Sequence, residues 1–247
     1  ILGATGQVGS NLHKLLISQS IEVTSVRKSK WLNKPESSSN LSLDITKDKE
    51  YLKDLVQDND VIFHLAGNTE IQAEKDSERD YLLSWIEPLV EILGSMVNTK
   101  KTLVFASSCS VYGVNPSLPV NEETKEEPLT SYDLAKVSCD YMIKYYREVY
   151  RVLCSSLRFS NIYSSSALDK NSSRRVINKI LMNIHQNKEV NIIERGKFMR
   201  NYIHVKDVVG QLLYVVEHVS SSPPVLLACS EENYLLIDII SMLIDSY

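Results

Sequence analysis

The chain has 247 residues, of which 43% are hydrophobic and 23% are charged, and its formal net charge is -4. This is the composition of an ordinary water-soluble globular protein, long enough for one large core or for one domain with a smaller lobe. The mild acidity, without a clustered basic stretch, argues against a nucleic-acid-binding surface and against an anionic-membrane surface.

Cysteine usage and targeting patterns bear on the compartment. Cys109, Cys139, Cys154 and Cys229 lack the paired spacing of a metal site and are too few for a disulfide scaffold. Neither a signal-peptide pattern nor an apolar run of membrane-spanning length is visible. We therefore expect a cytoplasmic protein without a metal site. Ile1 already reads as part of a strand, so we expect the sequence to be a fragment at its start.

A glycine turn joins the first expected strand to the first expected helix. Gly3, Gly6 and Gly9 precede leucines at helical spacing, and this spacing suits a dinucleotide pyrophosphate. Glycine permits a tight turn and close backbone approach, while the helix N-terminus offers free N–H groups. A plain turn with close helix–sheet packing is the alternative. We predict cofactor binding by the turn residues Gly3, Thr5, Gly6, Gln7, Val8 and Gly9.

Strands and helices alternate along the rest of the chain. Strands are expected at residues 21–26, 60–66, 102–106, 152–157 and 190–193. Helices are expected at residues 81–96, 132–150, 174–186, 205–219 and 234–247. This alternation predicts an α/β protein with a doubly wound parallel sheet.

The end of the second strand bears on the choice between NAD and NADP. A carboxylate there binds the NAD ribose, whereas an arginine accommodates the 2′-phosphate of NADP. The chain reads Val26-Arg27-Lys28 at this point, without an acid. Arg27 and Lys28 mildly favour NADP over NAD, unless both are solvated surface charges.

Tyr132 and Lys136 stand four residues apart on an expected helix, downstream of a serine-rich strand end that contains Ser108. Residues i and i+4 share one helix face, so a phenol and an ammonium can point at one ligand. A nearby positive charge lowers the pKa of a phenol, which is otherwise about 10, and this suits acid or base chemistry. By itself the pair is weak evidence for a catalytic site, since any helix can place a tyrosine beside a lysine.

Several motifs in a fixed order resemble the extended short-chain dehydrogenase/reductase family, in particular its NAD(P)-dependent epimerase/dehydratase branch acting on nucleotide sugars. They are the glycine turn, Asp44-Ile45, His64-Leu65-Ala66-Gly67, Ser107 to Gly113, the Tyr132 and Lys136 pair, Leu157 to Tyr163, and Arg200 to Asp207. The resemblance implies a Rossmann domain that binds NAD(P) over residues 1–163. It also implies a small, partly truncated substrate-binding lobe over residues 164–247, of which residues 201–219 pack back on the Rossmann domain.

The resemblance assigns the chemistry to three residues. Ser108 matches the catalytic serine, which holds the reacting substrate oxygen, and Tyr132 matches the catalytic acid or base. Lys136 matches the residue that binds the nicotinamide ribose and lowers the pKa of the tyrosine. Cys109-Ser110 stands where the dehydratases carry an Asp-Glu pair, which disfavours dehydration.

The resemblance also implies binding residues. Asp44 and Ile45 would contact the adenine end of the cofactor, and the Leu65-Ala66-Gly67 turn would lie along it. Asn161 and Arg200 would bind the diphosphate of a nucleotide sugar, a task that suits the planar guanidinium. In the helix before Ser108, the run Ser84 to Pro88 replaces an asparagine that is followed by small residues, so the cofactor-side geometry there departs from the family's.

The predicted function is that of an NAD(P)-dependent nucleotide-sugar epimerase or reductase in glycan precursor synthesis. A reductase of small non-nucleotide carbonyl compounds is an alternative, although it would not need Asn161 and Arg200. A non-catalytic NAD(P)-binding sensor or scaffold is another, although it would not need Tyr132. By family analogy, a homodimer would form through the helices at residues 81–96 and 132–150.

Overall fold

The computed structural model describes residues 1–28, 39–67, 77–114, 116, 118–164, 176–190, 192, 196 and 198–245. Its helices are α1 (Gln7–Ser18), α2 (Lys49–Gln57), α3 (Glu78–Met96), α4 (Ser131–Tyr150), α5 (Val176–His185), α6 (Val205–His218) and α7 (Leu236–Asp245). Its strands are β1 (Thr24–Arg27), β2 (Ser39–Ser42), β3 (Val61–His64), β4 (Thr102–Ser108), β5 (Leu153–Phe159), β6 (Asn161–Tyr163), β7 (Met199–His204), β8 (Val225–Ala228) and β9 (Asn233–Leu235). A 3₁₀ turn over Cys109–Tyr112 follows β4 directly.

The central sheet is parallel and reverses its strand order beside the first residues of the chain. β3, β4, β5 and β8 lie side by side in that order, and β1 pairs with β2. Leu2 bridges the two groups, since it pairs with Val26 of β1 on one side and with His64 of β3 on the other. The predicted doubly wound parallel sheet is therefore confirmed. The strand order reverses between the segment that contains Leu2 and β3. Sheets of this kind bind ligands at the carboxyl ends of the strands on either side of such a reversal.

Apolar side chains alternate along the strands and build a core on each face of the sheet. Leu103 and Phe105 of β4 pack with α2, α3 and α4, whereas Val104 packs on the opposite face with α1 and α6. This alternation follows from the two-residue period of a strand. Helices cover both faces of the sheet, so the central strands are buried. A site can therefore form only where the strands end.

A second, smaller sheet follows the central one. β6 and β7 are parallel, and β7 and β9 are antiparallel, with Arg200 opposite Tyr234. The predicted helix at 234–247 is wrong at its start, because residues 233–235 form β9 and the helix begins at Leu236. Strands β2, β6, β7 and β8 and helix α2 were not predicted. The expected strand at 190–193 falls partly outside the described residues.

Segments after residue 164 return to the central sheet. α6 packs against α1, and β8 pairs with β5, with Ala228 beside Phe159. The division into residues 1–163 and 164–247 stays a prediction. Over the described residues, none of the helices combines the length and the apolar character that crossing a bilayer requires.

Candidate active site

The glycine turn lies against the turn that follows β3. Gly3 has a φ of +87°, and a Cβ at this position would lie 2.7 Å from the backbone nitrogen of Ala66. A Cβ at Gly9 would lie 2.3 Å from the carbonyl oxygen of Gly3. Only glycine fits either place without a backbone shift. The structure therefore brings together the predicted turn and the Leu65-Ala66-Gly67 segment.

The start of α1 has the features that a phosphate group needs. Gly6 is the N-cap residue, and no side chain there caps the helix. The side-chain amide of Gln7 is buried at both polar atoms, without a hydrogen-bond partner among the described residues. Val8 packs its side chain into the core, so only its backbone N–H could face a ligand, while Thr5 is half-buried. Free first-turn amides, a glycine cradle and an unpaired buried amide fit a dinucleotide.

The end of β1 carries a charge pair that sequence reasoning missed. The ammonium of Lys28 lies 3.2 Å from the carboxylate of Asp44. Partial burial acts to raise the pKa of Asp44, but hydrogen bonds from Thr46 and the Lys28 charge outweigh it and hold the pKa below its usual value. Ile45 packs against the core beside it, and Arg27 is half-buried. Lys28 is thus partly neutralised by Asp44, and Arg27 occupies the strand end at which an arginine would accommodate a 2′-phosphate.

Ser108 ends β4 and caps the 3₁₀ turn that follows. Its hydroxyl oxygen accepts a hydrogen bond from the backbone N–H of Ser110 at 3.2 Å and lies 2.9 Å from the hydroxyl of Ser110. Cys109 points elsewhere, since its thiol donates to the carbonyl of Arg158. Burial raises the pKa of the Cys109 thiol to about 12, so it is neutral and a poor acid. Sequence reasoning gave Ser110 no role beside Ser108.

Helix α4 presents Tyr132 and Lys136 to the same strand end. Its start is fixed by a capping box, in which Thr130 and Asp133 exchange hydrogen bonds. The ammonium of Lys136 donates to the carbonyl oxygen of Ala106 at 2.5 Å, two residues before Ser108 in β4. Tyr132 is half-buried and meets the Trp85 ring edge-on, at 5.8 Å between ring centroids. The structure thus places all three predicted catalytic residues around the end of β4.

Burial changes the electrostatics of this strand end. Lys136 is only 3% exposed, and its burial lowers the pKa of the ammonium from 10.5 to about 7. His64 at the end of β3 is also buried, which lowers its pKa to about 3, with the Lys136 charge acting in the same direction. His64 is therefore a neutral ring at physiological pH. Lys136 titrates in the neutral range instead.

A buried ionic network lies behind the strand end. The guanidinium of Arg158 donates to Asp140, to the hydroxyl of Tyr112 and to Glu126. Asp140 also accepts from the hydroxyls of Ser107 and Ser156. The network joins α4 to β4 and β5, so it fixes the helix that carries Tyr132 and Lys136. Sequence reasoning quoted Arg158 in a motif but assigned it no task.

Asn161 and Arg200 lie together in the smaller sheet. The Asn161 side-chain amide donates to the carbonyl oxygen of Asn201, the residue after Arg200, at 2.9 Å. Both Asn161 and Arg200 are exposed, and the Arg200 guanidinium lies 5.7 Å from the Phe198 ring centroid. Within the described residues no cluster of three metal-ligating side chains forms. The exposed guanidinium is chemically suited to an anion.

Comparison with known proteins identifies a family match across most of the chain. The model of the NAD dependent epimerase/dehydratase family matches residues 1–228. A probable UDP-glucuronate 4-epimerase from Rhizobium meliloti is 27% identical over 180 residues, which are 70% of this chain and 48% of that protein. Protein CapI from Staphylococcus aureus is 26% identical over 90% of this chain and 70% of its own length. The chain thus spans about half of the first relative.

Solved structures of similar fold cover almost the whole chain. UDP-glucose 4-epimerase from Thermotoga maritima, with UDP-glucose, has a TM-score of 0.88 at 21% identity over 99% of this chain and 80% of that one. UDP-glucuronic acid 4-epimerase from Bacillus cereus, with UDP-glucuronic acid and NAD, has a TM-score of 0.83 at 21% identity over 99% of this chain and 81% of that one. At this identity the likeness establishes the fold.

Proposed function

The chain belongs to the NAD dependent epimerase/dehydratase family, and on that premise we propose that it is an NAD(P)-dependent nucleotide-sugar epimerase or reductase. One observation carries the proposal. Lys136 is bonded to Ala106 in β4, two residues before Ser108, and Tyr132 lies one turn before Lys136 on the same helix. This arrangement supports a site at the strand ends in which Tyr132 is the acid or base, Lys136 the cation and Ser108 the hydroxyl.

The proposed chemistry assigns one task to each of these residues. When bound, the nicotinamide of the cofactor takes up or supplies a hydride at a sugar carbon. Tyr132 takes the proton from the hydroxyl on that carbon during oxidation and returns it during reduction. Ser108 holds the same oxygen through its hydroxyl. Lys136 binds the nicotinamide ribose, and its positive charge favours the phenolate form of Tyr132.

The proposed substrate is a sugar linked to a nucleoside diphosphate. The relatives and fold neighbours include proteins named as epimerases of UDP-glucose and UDP-glucuronate. Asn161 and Arg200 of this chain stand exposed on adjacent strands of the smaller sheet, and arginine binds phosphate through two parallel hydrogen bonds. Cys109-Ser110 offers no strong acid or base for water elimination, so we propose epimerisation or reduction.

We further propose a homodimer through α4. Five large side chains on this helix are exposed by between 41% and 55%, namely Leu134, Tyr141, Tyr145, Val149 and Tyr150. Exposed apolar and aromatic residues on one helix favour contact with a second copy. Light scattering after gel filtration should give twice the mass of the chain. A Tyr145→Glu variant should be monomeric, and a monomeric wild-type chain would contradict this assembly.

The function is tested by binding and turnover with the purified chain. We expect NAD or NADP to bind in calorimetry, and UDP-, GDP- or dTDP-sugars to change the absorbance of the bound nicotinamide. Conversion of one sugar to its epimer without net consumption of cofactor would identify an epimerase, whereas stoichiometric oxidation of NADPH would identify a reductase. Turnover of small carbonyl compounds alone would favour the alternative substrate class. Failure to bind either cofactor would contradict every enzymatic function proposed here.

A further inference from the structure

Trp85 lies at the centre of the candidate site, although the motifs assign it no role. Its side chain is 3% exposed on α3. A Cβ at Gly67 would lie 1.9 Å from the indole, so the indole lies directly on the turn that is expected to line the cofactor. The Tyr132 ring meets the indole edge-on. The Lys136 ammonium lies over the indole face, 3.8 Å from the ring centroid.

We propose that Trp85, which packs on Gly67, is a positioning residue: its indole face holds the Lys136 ammonium, and its near-perpendicular contact with the Tyr132 ring orients that ring. The assignment of tasks to Tyr132 and Lys136 rests on the proposed function. The contact between the indole and the ammonium does not, because it is a distance between two side chains of this chain.

The ammonium depends on aromatic faces because little else replaces its lost water. Of its three N–H groups, one donates to the carbonyl of Ala106. The rings of Trp85 and Phe105 then face it at 3.8 Å and 4.6 Å from their centroids. Among the described ion pairs, none includes Lys136. A cation over an aromatic face is stabilised most when both are desolvated.

The other titratable groups around Lys136 do not take over this task. Burial raises the pKa of Cys139 on α4 to about 12, so this thiol is neutral, and His64 on β3 is neutral as well. Asp140 on α4 carries a charge, but its carboxylate is engaged by Arg158. The Tyr132 ring also faces the ammonium, but its centroid lies 5.6 Å away, farther than that of the indole. Removing the indole should therefore change the pKa of the Lys136 ammonium more than removing any of these other groups.

The first test reads the contact through fluorescence and needs no turnover. The chain has two tryptophans, and Trp31 lies outside the described residues, so Trp31→Phe leaves Trp85 as the only indole. We expect its emission to change as the ammonium over the ring loses its proton, with a midpoint near the Lys136 pKa of about 7. Adding Lys136→Met should abolish this transition. Adding Lys144→Met on the same helix should preserve it.

Two outcomes of this test would overturn the proposal. One is a flat emission profile in a Trp31→Phe protein whose circular dichroism shows it folded. The other is a transition that survives Lys136→Met. Both are independent of the proposed function, since a chain that binds no cofactor would still show the transition if the contact exists.

The second test asks whether the indole raises the pKa of Lys136 in the active enzyme. An aromatic face favours the charged form and so raises the lysine pKa. Trp85→Leu should shift the alkaline limb of kcat/KM to lower pH by about one unit, whereas Trp85→Phe, which keeps a ring, should largely restore it. Identical alkaline limbs in the two variants would contradict the proposal. If Trp85→Leu does not fold, the fluorescence test, which needs no substitution at Trp85, remains decisive.

Discussion

Asp140 and Arg158 form an ion pair from which water is fully excluded. Nε of Arg158 donates to the Asp140 carboxylate over 2.8 Å, and both side chains are 0% exposed. Such a pair carries a large desolvation cost, so its contribution depends on complete hydrogen bonding by both partners. Because Asp140 lies one turn after Lys136 on α4, the pair also sets the position of the helix that carries the candidate acid or base.

Removing one partner of this pair should strongly destabilise the fold. Arg158→Met leaves the Asp140 carboxylate buried without its cation, and we expect the free energy of unfolding to fall by about 3–5 kcal/mol. Urea unfolding measures this change. The exposed pair of Lys125 and Glu127 provides the control, because Lys125→Met should cost less than about 1 kcal/mol. Equal small effects of both variants would contradict the account of the network.

The buried ammonium of Lys136 should lower the free energy of unfolding of the chain. Its pKa is about 7 in the folded chain and 10.5 ordinarily, so the unfolded chain binds more protons between these values. The stability of the wild type should therefore rise with pH across this window, and fall as pH drops towards 7. Lys136→Met should be more stable than the wild type by about 2 kcal/mol at pH 6, since it removes a buried charge.

Urea unfolding of both proteins across the pH range checks this prediction. The difference between them should shrink as pH approaches 10.5, the ordinary lysine value. A Lys144→Met control should run parallel to the wild type, because Lys144 is less buried and lies near Glu126. A difference that does not depend on pH would show that the folded ammonium does not titrate as described.

Two glycines in helices should respond to alanine in opposite ways. A Cβ at Gly9 would meet the Gly3 carbonyl oxygen at 2.3 Å, so Gly9→Ala should push α1 from the sheet, cost about 2–4 kcal/mol and weaken NAD(P) binding. Gly210 in α6 has nothing within 4 Å of that position, and Gly210→Ala should stabilise by about 0.5–1 kcal/mol. Urea unfolding and calorimetry measure both effects. Unchanged cofactor binding in Gly9→Ala would contradict the proposal that the glycine turn binds NAD(P).

Arg27 and Lys28 should differ in their effect on cofactor choice. Arg27 lies half-buried at the end of β1, the position at which an arginine accommodates a 2′-phosphate, and the Lys28 side chain is exposed and contacts Asp44. We expect Arg27→Ala to weaken NADP binding about tenfold, the loss of one charge-assisted phosphate contact, with little effect on NAD. Lys28→Ala should change NADP affinity less. Equal losses for NAD and NADP in Arg27→Ala would show that Arg27 does not read the 2′-phosphate.

The elements with strong apolar periodicity were predictable from the sequence. The central strands β3, β4 and β5 and the long helices α3 and α4 fall close to their expected positions, whereas β8 was not predicted. β2 was missed because Ser39–Ser42 contains one apolar residue and becomes a strand only through pairing with β1. β7 and β9 likewise depend on each other. Helix α2 carried a usable signal, since Leu52 and Val56 are buried one turn apart.

The candidate site divides in the same way. Ser108, Tyr132, Lys136 and the glycine turn could be predicted because the chemistry needs those residue types at local spacings. The Arg158 network could not, because it joins residues 18, 32 and 46 positions apart in the chain. Trp85 and Lys136 lie on two different helices, so no spacing in the sequence predicts their contact.

The most direct test of the central claim is turnover of a Tyr132→Phe variant. The substitution removes the proton-transferring hydroxyl and keeps the ring that packs on Trp85. We expect kcat to fall by at least about a hundredfold, the usual contribution of a general acid or base, while NAD(P) affinity stays within about twofold. Tyr141→Phe, at an exposed position on the same helix, should retain full activity. Unchanged turnover in Tyr132→Phe would contradict the proposed mechanism.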